Sequence, residues 1–102
     1  MWRLRSNLQR EQWSRVKDQL KPTLKDYYLD AERAVKQGSE QVFRLDNTVM
    51  LLRGEVLKDG NKELVVVALV GDMAAGTLGA LNHARAYGFD SIRAHFFRAG
   101  AE

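Results

Sequence analysis

Cysteine is missing from all 102 residues, which excludes disulfides and thiolate metal sites. Only two histidines, His83 and His95, are present, too few and too far apart to give a structural zinc its ligands, so no metal is expected. Proline occurs once, at Pro22. No apolar run approaches the ~18 residues of a membrane span, and Trp2, Arg3 and Arg5 lead into polar residues instead of the apolar centre of a signal peptide. These absences point to a cytoplasmic chain that meets no membrane. With 45% apolar residues, positions 1–102 are expected to form one domain around one core.

Charge is present but unevenly placed. The net charge is +3, yet residues 1–37 hold nine Lys/Arg against five Asp/Glu, and the remainder holds seven against eight. A basic amphipathic helix can bind phosphates, and Arg10, Arg15 and Lys17 would be the residues to do so. Alternating charges on a solvated helix face look the same, so nucleic acid is not the partner expected.

Apolar residues at Leu8, Trp13, Val16 and Leu20 predict a one-sided helix that ends before Pro22. Pro22 then opens a second helix with Leu24, Tyr28, Ala31 and Val35 inward and Gly38 at its C-terminus. Residues 7–37 thus read as a helical pair, with Trp13, Tyr27 and Tyr28 as packing groups. After Gly38 the period shifts towards 2. "QVFRLD" and "NTVMLLRGEVL" read as antiparallel strands about an Asp46-Asn47 turn, and "KDGN" at Lys58–Asn61 leads to a third strand, "LVVVALV". The third strand is continuously apolar, as expected when both faces are covered.

Asp72 can cap a helix from about Met73 to Tyr87, ended by Gly88, with Ala74, Leu78, Leu81 and Ala84 as its inward stripe and Arg85 at the stripe's edge. "SIRAHFF" should return parallel to residues 64–70 through a right-handed crossover. The expected fold is α/β (α+β), order ααβββαβ. Its four-stranded mixed sheet combines an antiparallel meander with one parallel crossover strand, residues 40–100 forming the sheet and crossover helix.

The strand, glycine and helix of "VGDMAAGTLG" make the natural place for a phosphate, because backbone N–H groups and the helix dipole favour an anion there. The Asp72 carboxylate satisfies those donors from within and would repel a pyrophosphate, so capping outweighs phosphate binding. Gly76 and Gly79, three apart, share a helix face and suit close packing. His83 aligns with Gly79 and Tyr87, and His95 lies between Arg93 and Phe97 on the last strand; neither has an acidic neighbour in sequence to orient it, so both read as structural before catalytic. Arg93 with His95 is the best polar pair available. Trp2 is a possible anchor for a partner.

The order of these elements resembles the central part of the GNAT N-acetyltransferase fold. More narrowly, Glu63, Leu64, Val65, Val66 and Gly71, then Gly88, Phe89, Ser91, Ile92, Arg93, His95, Arg98 and Gly100, resemble small acetyltransferase-like proteins of tailed bacteriophages and prophages. The similarity covers residues 40–100. In active members an Arg or Gln precedes a Gly-x-Gly or Gly-x-Ala whose amides bind the coenzyme A pyrophosphate; here Met73-Ala74-Ala75-Gly76 puts Met in that slot and Leu78 where Gly or Ala should follow. The fold's last helix and two strands, which commonly supply the tyrosine acid, have no counterpart before Glu102, so the resemblance implies a C-terminally truncated scaffold.

The resemblance implies two functions. One is a non-catalytic interaction, morphogenesis or accessory protein, without catalytic residues or cofactor, in the host cytoplasm or on a virion, bound to a phage or host protein. It would pair with itself through the C-terminal strand at Arg93, His95, Phe96, Phe97 and Arg98, an edge open to pairing. The alternative is a degenerate acyl-CoA-dependent N-acetyltransferase, with acetyl-CoA held at Gly71, Asp72, Met73 and Ala74. Nucleic-acid binding by the basic helices is a third, weaker alternative.

Overall fold

The computed structural model describes residues 6–94. In chain order it comprises β1 (Gln9–Arg10), α1 (Trp13–Leu24), a 3-10 turn (Lys25–Tyr27), α2 (Tyr28–Gln37), β2 (Glu40–Leu45), β3 (Thr48–Val56), β4 (Lys62–Val70), α3 (Met73–Ala86) and β5 (Ser91–Ala94). One mixed sheet runs β1-β2-β3-β4-β5, antiparallel throughout except for the parallel β4–β5 pair.

The expected α/β meander with a parallel return is present, but the sheet has five strands instead of four and the order is βααβββαβ. The additional strand, β1, is two exposed residues paired with Phe43 and Arg44, too short and too polar to show a period. Leu8 does not open the first helix. It lies ahead of β1 and packs with the cluster beneath α3.

Pro22 does not end that helix either: α1 runs through it to Leu24. An interior proline costs roughly 3 kcal/mol, and fully burying a leucine returns about 1.5–3 kcal/mol. Both Leu20 and Leu24, either side of Pro22, are fully buried. The break comes instead at Lys25, where φ is +53°. α2 ends as expected at Gly38, φ +87°, with its N–H on Val35 O and the Ser39 N–H on Ala34 O.

The sheet separates two apolar layers. Trp13, Val16, Leu20, Leu24 and Ala31 of the helical pair meet Val42, Val49, Leu51, Val65, Val67 and Ala68 on one face. On the other, Ala80 and Ala84 of α3 meet Phe43, Met50, Leu52, Leu64, Val66 and Leu69. Val67 and Ala68 face the same way because the register slips: Leu51 pairs with Ala68 and Leu52 with Val66. This bulge turns Leu69 towards α3.

The inward stripe of α3 differs from the expected one. Gly76, Gly79, Ala80, His83 and Ala84 face the sheet, while Ala74 is exposed, Leu81 half-buried and Leu78 65% exposed. Counting apolar residues selects the leucine side. The sheet, however, already supplies large side chains at Met50 and Leu69, and the helix approaches it through glycine. A Cβ on Gly76 would lie 2.5 Å from Leu69 Cδ1, and one on Gly79 2.8 Å from Leu45 Cδ2.

Candidate functional site

The turn between β4 and α3 is built against the β2–β3 turn. Gly71 has φ +125°, and a Cβ there would meet Thr48 Cα at 2.8 Å, so only glycine brings the chain this close. The Asp72 N–H donates to Thr48 Oγ1 at 2.9 Å, the Ala75 N–H donates to Asp72 Oδ1 at 3.0 Å, and the Gly76 N–H donates to the Asp72 carbonyl at 2.9 Å. Of the four residues proposed for coenzyme A, Gly71 shapes the turn and Asp72 fills it. Met73 and Ala74 follow on the exposed side.

The energetic comparison is lopsided. An anion at a helix N-terminus gains typically about 0.3–1 kcal/mol. Two like charges 4 Å apart repel by about 1 kcal/mol in bulk water and about 4 kcal/mol near a protein surface. The Asp72 carboxylate therefore makes this helix start a poor seat for a pyrophosphate, and the donor set does not fit the group.

His83 is the centre of a different site. The Ser6 hydroxyl lies 2.9 Å from its Nδ1, and the ring is held between Phe43 and Tyr87 at centroid distances of 4.7 and 4.6 Å. Burial lowers its pKa from the ordinary 6.5. The imidazole lines a groove of about 380 Å³ whose floor is Gln41, Phe43, Leu52 and Leu64, and whose rim is the Phe89 ring lying over Gly54. No carboxylate orients His83 among the described residues, so it has the setting of a packing residue.

The residues that sequence reasoning overlooked form a polar ladder on the α1/α2 face. Glu40, 1% exposed, accepts from the Tyr27 hydroxyl at 2.5 Å and from Arg53 Nη1 at 3.0 Å, both on Oε2. Arg53 Nε donates to Glu55 at 2.8 Å, and Arg93 joins Glu55 at 3.4 Å and Glu63 at 3.1 Å. Glu55 stands directly opposite Glu63, a like-charge pair that Arg93 bridges. Desolvation first, then the Glu40 hydrogen bond, pushes the Tyr27 hydroxyl up to about 12. The one signal was strand register, which sets Glu40 opposite Arg53.

Of the residues proposed for self-association, Arg93 is thus committed to this ladder; His95, Phe96, Phe97 and Arg98 lie outside the described residues, as do Gly100 and Trp2. Nor do Arg10, Arg15 and Lys17 share one helix. Arg10 is on β1 with its guanidinium 5.8 Å from the Phe43 ring centroid, and Arg15 is 3.9 Å from Glu11. Among the described residues no group of three His, Asp or Glu is placed to hold a metal ion, and no helix is long and apolar enough to cross a membrane. Comparison with family models, with curated proteins and with solved structures found no match to this chain.

Proposed function

We propose that this chain is a non-catalytic interaction protein on an acetyltransferase-like scaffold, of the small kind that tailed bacteriophages and prophages encode, with another protein chain as its partner. The observation that carries it is the Asp72 carboxylate bonded to the Ala75 N–H at 3.0 Å, where an acetyltransferase would place the coenzyme A pyrophosphate. The antiparallel meander, glycine turn, helix and parallel return support the scaffold. Calorimetric titration with acetyl-CoA tests the reading. No saturable heat is expected up to millimolar ligand, and a dissociation constant in the low micromolar range would overturn it.

A second reading, a degenerate acyl-CoA-dependent transferase, is favoured by one observation. Beyond the turn, between α3 and the β4–β5 pair, lies an apolar cleft of about 290 Å³ lined by Val66, Leu69, Thr77, Ala80, Leu81 and Ile92, with room for part of a thioester arm. Asp72→Asn keeps a good cap while removing the charge. Binding gained only in that variant would show that the carboxylate alone was excluding the anion.

A further inference from the structure

α3 is apolar on both sides. Within Met73–Ala86 the only residue charged at neutral pH is Arg85, since His83 is buried and its pKa lowered. The face turned away from the sheet presents Ala74, Leu78, Leu81 and Arg85, with Leu78 65% and Met73 42% exposed. Solvated helices normally carry charge along the outer face, as Lys17, Asp18 and Lys21 do on α1 and Asp30, Arg33 and Lys36 on α2. Ile92 and Ala94 of β5 extend the apolar surface beside Leu81.

Two features identify what covers this face. The stripe Ala74, Leu78, Leu81, Arg85 has the spacing 4, 3, 4, which reads the same in either direction. Opposite charges flank it: among the described residues Arg85 makes no ion pair, and Asp72, two residues ahead of Ala74, caps the helix through Oδ1 while its Oδ2 has no hydrogen bond. We infer that α3 is an isologous dimer interface, in which a second copy of this chain lies antiparallel across the stripe.

In that register Leu78 packs on the partner's Leu81, and Arg85 passes over the partner's Ala74, whose small side chain leaves room for the arginine stem. The guanidinium then reaches the partner's Asp72. A parallel arrangement would set like charge against like at each end. The inference names a partner for the interaction protein proposed above, and rests on that proposal only for its biological use. Coenzyme A binding would overturn the proposal, whereas the interface is decided separately, by the oligomeric state of the ligand-free chain.

The test uses the full chain and its lack of cysteine. Sedimentation and light scattering from micromolar to near-millimolar concentration should give twice the 11.6 kDa chain mass. Leu78→Lys, at an exposed position, should weaken association at least tenfold while leaving circular dichroism unchanged, and should remove the rise of Tm with concentration that a dimer gives. Mixing Leu78→Cys with Leu81→Cys under mild oxidation should give mainly the mixed disulfide. The inference is overturned by a monomer at every concentration, including one whose own chain protects Leu78. It is equally overturned by a dimer that Leu78→Lys leaves intact, or by cross-linking that shows no preference for the mixed pair.

Discussion

His83 lies between Phe43 and Tyr87 with its pKa held below 6.5 by burial, so the unfolded chain accepts a proton that the folded chain resists. The stability tied to this group is therefore full above about pH 6.5 and is lost as pH falls through the lowered folded value. Thermal melts of His83→Gln should show a flatter acid limb than the parent. An unchanged acid limb would mean that His83 is not the group responsible. Tyr27 has the opposite sign. Its hydroxyl is raised from 10.0 to about 12, so its contribution is complete below pH 10 and declines as pH rises through about 12. Tyr27→Phe should lose on the order of 1 kcal/mol at neutral pH with the Glu40 hydrogen bond, and should also lose that alkaline decline. Melts at pH 8 and above, compared between the two chains, check both effects.

α3 is governed by its glycines. Gly76→Ala would ordinarily favour a helix by about 1 kcal/mol. Here the new methyl meets Leu69, a buried side chain that the β4 bulge has turned towards it, at 2.5 Å from Cδ1 and 3.1 Å from Cγ. Overpacking of this kind costs typically about 1–3 kcal/mol. A net loss of stability in urea unfolding is expected, and a gain would show that α3 stands further from the sheet. The same glycines explain what was legible at this scale. Spacing alone shows that Gly76 and Gly79 share a face, but not that this face meets the sheet, because that choice depends on the volumes of Met50 and Leu69 across the gap. β2, β3 and β4 were legible because Asp46, Gly60 and the apolar runs mark their ends with turn chemistry. β1 was not, since two polar residues carry no period and owe their strand geometry to Phe43 and Arg44. Pro22 misled for a related reason: the local rule against proline lost to the burial of Leu20 and Leu24.

At the largest scale, two helices of the described residues cover one face of a five-stranded sheet and one covers the other, and Asp72 in the turn that joins β4 to α3 caps the Ala75 amide. The capping role of Asp72 was legible because it is local, three residues from the amide it accepts. The Tyr27–Glu40–Arg53–Glu55–Arg93–Glu63 ladder was not, because it joins the turn between α1 and α2 to four strands whose register no single segment reveals. The proposed function requires that the Asp72 carboxylate exclude a phosphate from the start of α3. The direct measurement is an amide NMR titration of the intact chain with inorganic pyrophosphate at constant ionic strength. The Met73, Ala74, Ala75 and Gly76 amides should shift no more than in a chloride control; saturable shifts confined to those four, with a submillimolar midpoint, would contradict it.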